Sequence, residues 1–139
     1  MTDTASLTPA MAASEASWRC VQGHDREGWL ALMADDVLIE DPIGVSITNP
    51  DGTGVRGKQA VGEFYDTNIA TNNLSIVCEE SFPSSSPLEV AHILTLTSRF
   101  DGGLTSVVRG IFAYRVNEDG LLVNMRGWWN LDVMRFEQA

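Results

Sequence analysis

Apolar residues recur at helical spacing in the first half of the chain and at strand spacing in the second. Ala10, Ala13, Ser17, Cys20 and Val21 fall on one stripe of a predicted helix from Thr8 to about Gln22. Thr8-Pro9 reads as an N-cap followed by proline in the first turn, and Gly23 as the stop. Asp25 caps a second, shorter helix predicted to about Met33, with Trp29, Leu32 and Met33 facing inward. A third is predicted from Lys58 to about Ala70, with Val61, Phe64, Tyr65 and Ile69 on its inner face.

Beyond Ala70 the period drops to two. Strands are predicted from Leu74 to Glu79, Val90 to Phe100, Thr105 to Val116 and Leu121 to Asp132. A Pro83–Pro87 loop, an Asp101-Gly102-Gly103 hairpin turn and an Asn117–Gly120 turn separate them. Helices first and an antiparallel meander afterwards predict an α+β fold. Three N-terminal helices would pack on a curved, mainly antiparallel sheet and enclose an apolar pocket. A single domain over residues 1–139 is expected, with residues 1–8 frayed.

Between the second and third helices lies Asp35–Gly44. Val37, Ile39 and Asp41 alternate onto one strand face, and Leu38 and Glu40 onto the other. Pro42 ends the strand, because it cannot donate to a ladder and restricts the residue before it. Asp41 is thus a carboxylate on a face marked apolar, and desolvation there raises its pKa and poises it for proton transfer. The same stretch also reads as an Asp-Pro turn whose side chain bonds nearby amides. Ser17 is similarly two-sided, since a helical serine commonly bonds its own backbone.

Gly52-Thr-Gly-Val-Arg-Gly57 fits the dinucleotide pattern GxGxxG, and with Lys58 it approaches a phosphate-binding loop. Both motifs require a parallel strand before them and a helix after. Here Asn49-Pro50-Asp51-Gly52 is a turn, and Gln59 stands where a magnesium-binding hydroxyl belongs. Nucleotide binding is therefore not expected.

Val108, Gly110, Phe112 and Tyr114 share one strand face, and Met125, Gly127, Trp129 and Leu131 share another. Turned inward, they form either plain core or a wall suited to a flat apolar ligand. A formal net charge of −10 makes nucleic acid and anionic membranes unsuitable partners. Cys20 and Cys78 are too few for a disulfide scaffold, so free thiols in a cytoplasmic protein are expected. Met1–Pro9 lacks the basic start and apolar run of a signal peptide, and no stretch suits a bilayer span. His24 and His92 are isolated, no GxSxG elbow occurs, and no metal or cofactor is expected.

Ile39-Glu-Asp-Pro-Ile-Gly44, Gly57 before a helix carrying Phe64-Tyr65, and the ending from Gly120 through Met125 to Gly127-Trp-Trp129 resemble the Δ5-3-ketosteroid isomerase family. That family sits within the SnoaL-like or NTF2-like group. The likeness covers about Ala13 to Leu131. Ser17-Trp-Arg-Cys-Val-Gln, His24–Trp29 and Arg126–Leu131 look similar to a mycobacterial, steroid isomerase-like branch.

The resemblance implies a conical α+β fold, a homodimer and a steroid-like apolar ligand. It implies proton transfer by an aspartate from C4 to C6 of a 3-oxo-Δ5 steroid, with a tyrosine and a protonated aspartic acid holding the dienolate oxygen. Residue by residue, the base falls on Asp41, the flanking aromatic on Trp129, and a supporting tyrosine on Tyr65. The two oxyanion donors fall on Ser17 and Phe112, which departs from the family. Gly110, Tyr114 and Met125 complete the expected ligand wall. The longer Val45–Gly54 loop would reshape the pocket mouth. Because removing one such donor costs roughly 10²–10³ in rate, weak turnover is expected. A non-catalytic binder of steroids or small hydrophobes is the alternative. Epoxide hydrolysis or polyketide cyclisation, through Arg99-Phe-Asp101, is a third and weaker reading.

Overall fold

The computed structural model describes residues 7–138. Thr8 caps α1 (Pro9–Gln22) by accepting the Met11 amide, and Gly23 closes the helix onto the Arg19 and Val21 carbonyls. Of the start expected to fray, residues 1–6 lie outside the described residues, whereas Thr8 is fixed as the cap. Asp25 caps α2 (Arg26–Ala31) by accepting the Gly28 amide. The helix stops short of the predicted Met33 because Met33 opens β1 (Met33–Glu40). This strand begins four residues before its clear alternation, since the exposed pair Asp35–Asp36 interrupts the pattern where the register shifts.

The chain returns as β2 (Val55–Arg56), antiparallel to Leu38 and Ile39. Two residues carry no readable period, so nothing in the sequence announced it. Gly57, at φ 89°, leads into α3 (Lys58–Asn68). The glycine pattern therefore sits between an antiparallel edge and a helix, not in a βαβ unit.

The rest of the sheet is β3 (Asn73–Pro83), β4 (Glu89–Arg99), β5 (Leu104–Val116), β6 (Leu122–Trp128) and β7 (Arg135–Gln138). Its order is β2-β1-β6-β5-β4-β3, with β7 beside the first residues of β5. β1 and β6 run parallel and the other neighbours antiparallel. β3 outruns its predicted end at Glu79 because a bulge between Cys78 and Glu80 resets the alternation. The predicted strand to Asp132 stops at Trp128. Asn130 then accepts the Asp132 amide and turns the chain through Leu131–Val133 into β7, which the periodicity did not reveal.

The helices pack on the concave face. Val37 and Ile39 of β1, Val61 of α3, Leu94 of β4, Phe112 of β5 and Leu122 of β6 are buried in one core. Four α1 positions expected inward, Ala10, Ala13, Ser17 and Val21, are buried, and Ser14 joins them. Cys20 is only half-buried. Register fixes rows across this face. Ile39, Met125, Tyr114 and Val90 form one row. Asp41 extends the next, beside Gly127, Phe112 and His92.

Candidate functional site

Between α1, α3 and the concave sheet lies a cavity of about 320 Å³, within the range of small-molecule sites. Phe64, Leu94, Leu96 and Val108 are among its apolar walls. Of the residues singled out from the sequence, Ser17, Asp41, Phe112, Tyr114, Met125 and Trp129 all line this one cavity.

Asp41 is the first residue after β1, where Pro42 stops the ladder. Its side chain does not bond nearby amides as an Asp-Pro turn would. Oδ1 accepts the indole N–H of Trp129 at 2.7 Å, a short charge-assisted contact. Burial pushes its pKa above the ordinary carboxylate value, and the Trp129 hydrogen bond partly opposes that shift. Asp41 keeps partial accessibility on the cavity side. The packed protein around the rest of the carboxylate still withholds water from it. A carboxylate so held can take a proton from a carbon acid and return it.

The following loop is pinned to the same place. Thr48 donates its hydroxyl to the Asp41 carbonyl. The buried Asn49 donates to the Pro42 carbonyl and accepts the Gly54 amide, each at 2.9 Å. Ile47, which is largely exposed, and Thr48 form part of the cavity rim, as expected of a long loop at the mouth.

Ser17 does not bond its own backbone: Ser14 does, donating to the Ala10 carbonyl at 2.8 Å. Ser17 Oγ instead accepts the Trp29 indole N–H at 3.0 Å. Tyr114 Oη accepts the Trp18 indole N–H, also at 3.0 Å. Burial pushes the Tyr114 phenol up, so it stays protonated.

Two expected wall residues stand elsewhere. Tyr65 is buried but does not line the cavity; its ring packs at 5.7 Å on Trp29, one layer behind Ser17. Gly110 is not a wall either. A Cβ there would stand 2.6 Å from the Trp128 carbonyl oxygen and 3.2 Å from the Trp129 side chain, so the glycine gives the Trp128–Trp129 segment room. Phe112 lies across Gly127, whose absent Cβ leaves space for the ring and for Asp41 Oδ1. His92 makes ordinary hydrogen bonds, as its isolation suggested, to Ser14 at 3.0 Å and Ser81 at 2.8 Å. Asp101 is exposed in its turn and Arg99 is exposed on the strand before it, which removes the Arg/Asp pairing from consideration.

Sequence reasoning missed the roles of three tryptophans as donors to site oxygens. Trp18 and Trp29 stand on helices already predicted, but nothing local marks their partners. Asn49 was visible only as part of a turn signal.

The nuclear transport factor 2 (NTF2) domain profile matches residues 10–136, and the chain belongs to that family. Its structure is similar to that of RV0760c from Mycobacterium tuberculosis, at 66% identity and a TM-score of 0.94, covering 99% of this chain and 100% of the other. RV0760c in complex with estradiol-17β-hemisuccinate matches at 70% identity and a TM-score of 0.91, covering 93% and 99%. A Δ5-3-ketosteroid isomerase from Mycobacterium sp. matches at 61% identity and a TM-score of 0.92, covering 94% and 99%. No curated protein matches the chain.

Proposed function

We propose that this protein binds a steroid or a similarly flat polycyclic ligand, and that Asp41 shuttles a proton within it, converting a 3-oxo-Δ5 to a 3-oxo-Δ4 skeleton. The observation that carries the reading is the desolvated Asp41 carboxylate opening onto an apolar cavity, held there by Trp129. The likeness to a ketosteroid isomerase and to a steroid-bound relative supports the ligand class. Met125 and Trp129 supply flat apolar contact beside the base. Turnover is expected to be slow, because Ser17 and Phe112 occupy the positions of the family's oxyanion donors and Phe112 has no proton to give. A homodimer in the cytoplasm belongs to the same reading.

The second reading, a binding protein without turnover, is favoured by Phe112 itself. Buried to 1% exposure, it makes the cavity more apolar beside the carboxylate. One experiment separates the two. The protein is mixed with 5-androstene-3,17-dione and the absorbance of the conjugated enone is followed, with Asp41→Asn as control. A base of this kind contributes about 10²–10⁴ in rate, so the variant falls to background if the isomerase reading holds. Equal rates with saturable estradiol binding, read by tryptophan fluorescence, establish the binder. Flat titrations into the micromolar range defeat both.

A further inference from the structure

Of the hydroxyls that line the cavity, those of Tyr114 and Ser17 each accept an indole N–H, which leaves half of their hydrogen-bonding capacity unused. Tyr114 Oη accepts from Trp18, and Ser17 Oγ accepts from Trp29. An indole nitrogen only donates, so in each pair the hydroxyl oxygen is the acceptor and its own hydrogen is left to give. Among the described residues neither hydroxyl has an acceptor for that hydrogen. Tyr114 is 4% exposed and Ser17 6%, and both line the cavity. A buried donor facing apolar space is costly until an acceptor reaches it.

We propose that Tyr114, braced by Trp18, is the donor that receives the ligand's oxygen, with Ser17, braced by Trp29, as a second donor. The cavity then selects a flat apolar skeleton bearing a ketone-type oxygen over the bare hydrocarbon. This rests on the steroid reading above and adds the polar group that reading lacks.

The placement suits the chemistry. Tyr114 lies in the row of Ile39 and Met125, one row back along the strands from Asp41, and β6 runs between their strands. When Asp41 takes the proton from carbon, the C–H electron pair moves through the carbonyl π system and the oxygen gains the charge of an enolate. Tyr114 keeps its proton and hydrogen-bonds that oxygen. Asp41 then returns the proton at the far end of the conjugated system and the carbonyl reforms, so nothing is gained or lost. Each indole N–H polarises its hydroxyl and makes it a stronger donor. Trp18 is thus a positioning residue.

The test uses testosterone carrying ¹³C at its C3 ketone, and reads the infrared stretch of that carbonyl when bound. In the wild-type protein the band should fall below its value in dry alkane. In Tyr114→Phe it should move back towards that value, with binding weakened about five- to tenfold. In Trp18→Phe, where Tyr114 keeps its proton but loses its brace, the band should sit between the two. A bound wild-type band at the alkane value overturns the inference, as does a Tyr114→Phe band unchanged from wild type. Either leaves steroid binding standing. Failure of the wild type to bind testosterone, estradiol or 5-androstene-3,17-dione would overturn the steroid reading and this inference with it. Should Tyr114→Phe fail to fold, the wild-type, Trp18→Phe and Ser17→Ala bands decide alone: no movement in either variant overturns it.

Discussion

Trp129 Nε1 lies 2.7 Å from Asp41 Oδ1, so the ring that walls the cavity also holds its carboxylate. The bond stabilises the charged form and opposes the burial that raises the Asp41 pKa. Trp129→Phe keeps an aromatic wall and removes the donor. The Asp41 pKa should then rise further, and the acid limb of kcat/KM should move to higher pH, because the base acts only when ionised. Where turnover is too slow to follow, the ¹³C shift of the Asp41 carboxyl across a pH titration gives the same answer. A limb that stays in place, or moves to lower pH, contradicts the assignment.

Gly127 supplies a second constraint on the same carboxylate. A Cβ there would meet the Phe112 ring at 2.9 and 3.1 Å and Asp41 Oδ1 at 3.2 Å. Phe112 is fixed in the core and has little room to yield. Gly127→Ala should destabilise the fold by about 1–3 kcal/mol and weaken steroid binding, as the ring is driven into the cavity. Chemical denaturation and fluorescence titration check the two parts separately.

The elements with strong end signals were legible in the sequence. Thr8-Pro9, Gly23 and Asp25 mark helix ends through side-chain or backbone bonds only a few residues long. Asp41 was legible because alternation set its face and Pro42 set its depth along the strand. What escaped depended on long-range contact. The Trp29–Ser17, Trp129–Asp41 and Trp18–Tyr114 bonds span 12, 88 and 96 residues. Periodicity gives a face but not a layer, which is why Tyr65, correctly turned inward, stands behind Trp29 and not on the cavity wall. Likewise Gly110 has the right face, but its lack of a side chain serves the Trp128–Trp129 backbone. β2 and β7 are too short to carry a period and take their ladder partners from the rest of the sheet.

The mouth loop depends on one side chain. Asn49, 3% exposed, bonds the Pro42 carbonyl with its amide nitrogen and the Gly54 amide with its oxygen. Asn49→Ala leaves both backbone groups without a partner, at about 1–3 kcal/mol for each that water does not reach. A loss of about 2–4 kcal/mol in the urea transition is expected. Hydrogen exchange should accelerate at Gly54 before it does so in β5. Exchange that stays as slow as in the parent would show that other contacts fix the loop.

His92 makes stability depend on pH. Ser14 gives its proton to the Ala10 carbonyl, so its oxygen accepts from His92 Nε2–H, which leaves Nδ1 to accept from Ser81. The ring is fully buried among Trp18 and Tyr114 in its neutral form, and burial pushes its pKa down to about 4. In the unfolded chain it titrates near 6.5. Between those values the unfolded state binds the extra proton, so stability is complete above about pH 6.5 and falls as the pH drops towards 4. The loss by pH 4 is on the order of 3 kcal/mol from this residue. His92→Gln can keep a hydrogen bond yet cannot titrate. It should start from a lower stability at pH 7 and lose less between pH 6.5 and 4 than the parent does. Urea midpoints at several pH values give the comparison, and parallel slopes in the two proteins would place the acid sensitivity on another group. Asp41 works in the opposite sense: its raised pKa lets the folded state hold a proton more readily than the unfolded chain, so its protonation favours folding as the pH falls. Asp41→Asn should therefore steepen the acid loss, whereas His92→Gln flattens it.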